Sequence, residues 1–489
     1  NKLSEMQLSN QSRTFLVQEG VLAPLVKMIS SGNVECKVAA LGALQNLSVL
    51  EQNRDPMIKA GVMEPLLDIL FTVKSIGSTM REHAAAIFAN LSMASQPMNI
   101  KDLWGNQRDI DETTLKLISL INITGTSIQG HILKALSYIC SHTTSVSLRE
   151  TLRGSGSIQL LMNFMDSEDT KVRLYTLKLL YFLTKDGGAD TLAEEMKPHF
   201  YSTIVNIFSS ELLEEEKTAA MGILGNLPLY NKQVTDRMLE KGVLTSIVSI
   251  LDAFVSRRQG ASSVPLVENA MWTLVRFTLS TDIQLQEYTA KQDIVPLLVN
   301  LLKSGTTLIK SRAAMSLQQL SENTRNLSKP MKKSGGWCCF SADPRQSGCI
   351  LHGGVCSIHE TFCLLEAGAL PPLIKALDDK EDEKDEAVLS ALLTLVSDEF
   401  WEKGSDFIVQ YGGVKPIIRK LNSESVEVQE KALLILEKIF RKEEYRKEFG
   451  SMAQMLLVSL TQDGANLIRP LAARILSHLN ILHPQSTYF

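Results

Sequence analysis

Aromatic side chains are scarce in this 489-residue chain, at 6%. No apolar run approaches the roughly 18 residues that a membrane-spanning helix needs. The opening stretch, NKLSEMQLSNQSRTF, has neither the basic end nor the apolar core of a secretory signal. It has no initiator methionine either, as expected of a piece of something longer. Neither sign of charge is in excess: 50 basic and 54 acidic side chains leave −4. That excludes a whole-chain attraction to nucleic acid or to an anionic membrane. Cysteine is sparse and odd in number, seven in all, and Cys36 and Cys140 fall in helical patterns. Free thiols in a reducing, cytoplasmic compartment fit this better than a disulfide scaffold. The Walker loop, HExxH, GxSxG and the dinucleotide fingerprint are all missing, so no familiar catalytic motif is in place. What remains is a foldable composition, 44% hydrophobic and 21% charged.

The chain is repetitive. EGVLAPLV at 19–26 returns as AGVMEPLL at 60–67, SGSIQLLM at 155–162 and KGVLTSIV at 241–248. It recurs as KQDIVPLL at 291–298, AGALPPLI at 367–374, YGGVKPII at 411–418 and, worn, as FGSMAQML at 449–456. The glycine suits the left-handed end of a short helix, and the proline suits the first turn of the next. About twenty residues on comes a second motif, ALGALQNLS at 40–48, AAAIFANLS at 84–92, AAMGILGNLP at 219–228 and AAMSLQQLS at 313–321. Its small residues allow helices to approach closely, and its later Leu and Ile fill a shared core.

The polar position of LQNLS serves as a ruler. It falls at Asn46, Asn90, Tyr138, Phe182, Asn226, Arg276, Gln319, Thr394, Lys438 and His478, in steps of 44, 48, 44, 44, 50, 43, 75, 44 and 40 residues. A period near 44 with three helices per unit predicts an all-α, right-handed superhelical armadillo-repeat solenoid of about ten repeats, with the two-helix HEAT repeat as its rival. The step of 50 contains a lengthened loop, VSRRQGASSVP at 255–265, and the step of 75 exceeds 44 by 31 residues. The expected division is about seven repeats in 1–325, a Cys/His-rich insert at 326–357, and about three repeats with a C-terminal cap in 358–489.

Few residues suggest chemistry. GSGS at 154–157 coincides with the repeat's glycine junction, and His83, His131 and His478 read as surface-polar residues without a partnered nucleophile. The run DDKEDEKDE at 378–386 reads as a solvated loop or as a dock for a basic partner. The insert is different. Cys339, Cys349, His352 and Cys356 supply three thiolates and an imidazole, a set that suits a structural zinc ion. Two other readings stay open. The thiols, with Trp337, Phe340 and Ile350, pack as small hydrophobes, or one cysteine is a nucleophile with His352 as its base.

The third helices of such a solenoid offer a groove for protein partners. Importin-like armadillo proteins carry Asn at most ruler positions and Trp four residues earlier. Here Asn occurs at three of ten ruler positions and Trp only once in the earlier position, at Trp272, which argues against nuclear-import cargo. Candidate partner-binding residues are Asn46, Asn90, His131, Lys134, Tyr138, Tyr175, Lys178, Phe182, Asn226, Trp272, Arg276, Arg312 and Gln319. Mixed aromatic and basic groups suit a partner with acidic and apolar side chains.

WCCFSADPRQSGCILHGGVCSIHETFCLLEAGAL, with SRAAMSLQQLSEN before it and LAARILSHLNILHPQSTYF at the end, resembles plant U-box armadillo proteins, the U-box domain-containing protein 44-like subgroup among them. AAMGILGNLP and LVENAMWTLVRFT agree, and the resemblance covers essentially the whole chain. It implies an E3 ubiquitin ligase in which a U-box recruits the E2 and the armadillo region selects protein substrates. It also implies a cytoplasmic protein, in some relatives attached peripherally to the plasma membrane. The chain begins already in the repeats, with no stretch of about 70 residues for a U-box before the first. A U-box ligase has no catalytic cysteine, so no residue here is assigned to ubiquitin transfer. The alternative is a non-catalytic scaffold or membrane-docking adaptor.

Overall fold

The computed structural model describes residues 9–72, 77–94, 109–142, 144–210, 213–256, 262–328, 349–357, 359, 362–379, 382–397 and 399–481. Among them the secondary-structure elements are helices, with no β-strand. None of these helices is long and apolar enough to cross a membrane. The chain divides into two compact units, Asn1–Arg237 and Met238–Phe489. The Cys/His insert lies inside the second unit rather than between the two.

Each unit is a stack of helical repeats. In the first, third helices Val34–Ser48, Ser78–Leu91, Thr126–Ser141, Thr170–Lys185 and Glu214–Asn226 pack each on the next. In the second, Val264–Leu274, Thr307–Ser321, Asp385–Leu393, Val426–Ile439 and Ile468–His478 do the same. The ruler residues all fall on these ten helices or on the short 3-10 turns that continue two of them, Val275–Phe277 and Thr394–Val396. This is the all-α armadillo solenoid.

Local sequence explains the repeat. Gly20, Gly61, Gly156, Gly242, Gly368 and Gly412 all take positive φ, between 64° and 83°, where a Cβ would be strained. In the copy without this glycine, KQDIVPLL, Asp293 takes the same left-handed conformation at φ 57°. The worn copy at 449–456 shows the converse. Without a left-handed break, the first two helices of that repeat fuse into one of 21 residues, Glu443–Asp463. Four of these ten third helices begin at a capping side chain, Asn33, Asp169, Thr306 or Ser425. Asn33 accepts from the Cys36 N–H at 2.8 Å, and Asp169 from those of Lys171 and Val172 at 2.9 and 3.0 Å, satisfying amides the helix cannot.

Packing follows the motif. Ala40, Ala84, Ala85, Ala220, Ala313, Ala314, Ala472 and Ala473 are fully buried, letting successive third helices approach closely. Leu41, Leu44, Phe88, Leu136, Leu180 and Leu224 fill the layers between them in the first unit. A buried Leu or Phe of this kind contributes about 2 kcal/mol. Polar side chains link neighbouring repeats. Arg173 Nε meets Glu216 Oε1 at 2.9 Å from one third helix to the next.

The 75-residue step does not interrupt the stack. Thr307–Ser321 packs directly on Asp385–Leu393, and the Ser321 hydroxyl donates to Thr394 Oγ1 at 2.7 Å. The core is therefore continuous across the step. The acidic run is exposed at Asp378, Asp382, Glu383 and Glu386, as a solvated loop would be, but it is anchored at its helical end and tied to both neighbouring repeats. Lys384 and Asp385 are both 0% exposed. Asp379 pairs with Lys310 of the preceding repeat at 2.7 Å, Asp378 with Arg419 of the following one, and both Asp382 and Asp385 with Lys420.

Candidate interaction face and Cys/His cluster

In the first unit, the helices Thr126–Ser141 and Thr170–Lys185 bring Lys134, Tyr138, Tyr175 and Lys178 together, half-buried. The rings of Tyr138 and Tyr175 lie 6.4 Å apart. Lys134 and Lys178 place their Nζ atoms 6.0 and 5.6 Å from the centre of the Tyr175 ring. Phe182 stands one turn on, its ring 5.2 Å from that of Tyr181. Lys178 pairs with Glu215, whereas Lys134 has no acidic partner among the described residues.

Cations crowd this face. Burial lowers the pKa of Lys134, and Arg54, Lys171 and Lys178 lower it further. Burial also lowers His131, aided by Lys171 and Lys134, so its ring is neutral at pH 7. Burial, with Tyr138 and Glu215, pushes the Tyr175 phenol up to about 12. The same repulsion that depresses Lys134 is relieved when an anion arrives. Asn90 and Asn226 are engaged elsewhere. The Asn90 amide donates to Ser48 Oγ at 3.0 Å, and that of Asn226 to Tyr181 O and Thr184 Oγ1, both at 3.1 Å. Asn46 is half-buried at the same position of the first repeat.

In the second unit, the Arg312 guanidinium stacks on Trp272, 3.8 Å from the ring centroid, and this burial lowers its pKa. Gln319 accepts from Thr278 Oγ1 at 2.6 Å. Arg276 departs from the expectation of a groove residue: it is 1% exposed. It lies in the 3-10 turn Val275–Phe277 that continues its helix, with its side chain in the interior rather than on the groove face.

The Cys/His cluster has a member that the spacing did not suggest. Cys339, with Trp337 and Phe340, lies outside the described residues. Cys349, His352 and Cys356 do converge, and the fourth member is Cys363; all four ligand atoms lie within 4.8 Å of one another. His352 Nδ1 is 3.6 Å from Cys349 Sγ, 3.3 Å from Cys356 Sγ and 3.6 Å from Cys363 Sγ. Cys349 and Cys363 are 3.8 Å apart. Ile350 is 68% exposed, so it does not pack the insert as a hydrophobe. The signal for Cys363 was present in the sequence, as the last cysteine of CSIHETFC. It lies six residues beyond the assumed end of the insert, next to the following repeat's glycine junction.

A tight turn shapes the cluster. The Gly353 N–H donates to Cys349 O at 2.8 Å and the Cys349 N–H to Gly354 O at 2.6 Å, with Gly353 at φ 69°. Burial opposes protonation of His352, but contact with Cys349 and Cys356 prevails and raises it to about 9. Contact with Cys356 and Cys363 holds the Cys349 thiol far below the ordinary range.

An armadillo/beta-catenin-like repeat model matches residues 9–49, the first three described helices. The chain is 28% identical to U-box domain-containing protein 44 of Arabidopsis thaliana over 100% of its own length and 63% of the relative's. It is 29% identical to U-box domain-containing protein 24 of Oryza sativa subsp. japonica, over 98% of its length and 63% of the relative's. It thus spans less than two thirds of the curated relatives it matches. In fold it is similar to the crystal structure of an engineered protein, with a TM-score of 0.66 at 18% identity, over 94% of this chain and 98% of the other. The chain is an all-α armadillo-repeat protein whose homologues are plant U-box domain-containing proteins.

Proposed function

We propose that this chain is the substrate-binding part of a plant U-box E3 ubiquitin ligase, presenting target proteins for ubiquitination. The observation that supports it is the basic, aromatic face of Lys134, Tyr138, Tyr175 and Lys178, where burial and neighbouring cations depress Lys134, which lacks an acidic partner among the described residues. Such a face suits an acidic segment that also carries apolar side chains. Ubiquitin transfer belongs to a U-box and its E2, and the residues described here choose the target.

The test is proximity labelling in plant cells of a U-box-bearing protein that contains these repeats. The comparison is with a Lys134→Glu/Lys178→Glu variant of it. Targets that are ubiquitinated by the parent and lost in the variant support the reading. Unchanged targets would move the binding face elsewhere. Neighbours that are captured but never ubiquitinated would favour a non-catalytic scaffold or membrane-docking adaptor.

A further inference from the structure

We infer that Cys349, His352, Cys356 and Cys363 form a closed structural zinc site that fastens the returning end of the insertion to the repeat stack. Zinc binds thiolate sulfur at about 2.3 Å and imidazole nitrogen at about 2.0 Å, in a tetrahedron. Those radii require S···S edges of about 3.8 Å and S···N edges of about 3.5 Å. The cluster has 3.8 Å between Cys349 and Cys363, and 3.6, 3.3 and 3.6 Å from His352 Nδ1 to its three sulfurs. Packing of small hydrophobes would not aim one ring nitrogen at three sulfurs. A disulfide would leave an odd thiol and requires sulfurs about 2.05 Å apart. Three soft thiolates with one imidazole are a donor set that selects zinc over hard cations.

The surroundings fit a structural role. Cys363 is fully buried, and so are its neighbours Phe362 and Leu364. Three parts of the second unit converge on the cluster. Ser328, just before the insertion, sets its hydroxyl 3.6 Å from Cys356 Sγ. Thr324 Oγ1 donates to Phe362 O at 3.3 Å. From the next repeat, Phe400 meets the His352 ring edge-on at 5.0 Å and Lys403 donates to Ile350 O at 2.9 Å. These contacts orient the ligands as outer partners do in metal sites. Four protein ligands leave no open position, so the ion holds structure and performs no chemistry.

The experiment is metal analysis of the whole chain, purified without chelator. About one zinc ion per chain is expected. Cys363→Ser should drop it to near zero, and Cys339→Ser should leave it unchanged. Protein without metal, iron in place of zinc, or loss with Cys339→Ser but not Cys363→Ser would each overturn the assignment. Should Cys363→Ser fail to fold, the wild-type protein still decides. A thiol-blocking mercurial should release about one zinc ion to a colorimetric chelator, and cobalt-loaded protein should show the visible bands of tetrahedral thiolate coordination. Absence of both refutes the site.

Discussion

Replacing Lys420 by methionine tests whether the acidic run belongs to the packed interior. Lys420 Nζ lies 3.0 Å from Asp382 Oδ1 and also pairs with Asp385. Asp385 is 0% exposed and Lys420 only 9%. Removing one partner of such a pair costs about 3–5 kcal/mol, because a charge is left buried without compensation. The Asp382 side chain is 66% exposed and can turn to water, and Lys384 remains 3.8 Å from Asp385. The low end, about 3 kcal/mol, is therefore expected. Burial raises the Asp385 carboxyl from 3.8 to about 6 despite Lys420. Its folded value exceeds its unfolded one, so the folded chain takes up the proton first as pH falls. The burden of an ionised Asp385 is thus full above its folded pKa and disappears as pH falls below it. Loss of Lys420 raises that carboxyl further. The penalty should be largest at pH 7.5 and shrink toward pH 5, where Asp385 is mostly neutral in both proteins. A long repeat array does not unfold in one step, so the assay is hydrogen exchange in peptides covering Asp385–Leu393 and Val414–Lys420. After correction for intrinsic rates, protection should fall by about 100-fold at pH 7.5, and Asp385→Asn with Lys420→Met should recover most of it. Equal protection in variant and parent at pH 7.5, or an equal loss at pH 5 and pH 7.5, would refute the argument.

At Gly404 an added Cβ would sit 2.0 Å from the carbonyl oxygen of Leu395, so Gly404→Ala should destabilise its surroundings by about 2 kcal/mol or more, read as lost hydrogen-exchange protection in peptides covering Trp401–Gln410. Arg149, 5% exposed, donates to the carbonyls of Cys140 and His142 at 2.9 and 2.8 Å. Arg149→Met leaves them without that donor and should cost about 2 kcal/mol, measured the same way on the first unit. Burial, Tyr138 and Glu215 hold the Tyr175 phenol up at about 12, so an ultraviolet difference titration against Tyr175→Phe should show no ionisation of this residue at pH 10. Ionisation near pH 10 would contradict the packing described for that face.

Much of the fold was legible because its cues are local. The glycines of the repeated motif end short helices at positive φ, a preference set by the residue itself. Asp293 was harder to foresee, since a non-glycine residue adopts that conformation there, one that Asp tolerates better than most side chains but that its identity does not dictate. Within the sites, adjacency on one helix face was legible and environment was not. Lys134 with Tyr138, and Lys178 with Phe182, follow from helical spacing. The burial of Arg276 does not, since Thr394 occupies the same ruler position in a similar 3-10 turn and stays half-buried. The acidic run is solvent-facing over much of its length, as its composition suggests, but its buried end and its pairs with Lys310, Arg419 and Lys420 were not legible, since those partners come from repeats on either side.

The sequence by itself determined the period, the three-helix unit, the ten ruler positions and the location of the excess residues, because helix starts, breaks and apolar stripes are written within a few neighbouring residues. Tertiary structure alone decided that the stack closes across the 75-residue step. It also decided that Cys363 joins Cys349, His352 and Cys356 in one cluster. Convergence of four side chains on one point depends on the path of the backbone between them. Spacing along a chain constrains that path, but only the packing of Ser328, Phe362 and Phe400 around the turn selects it.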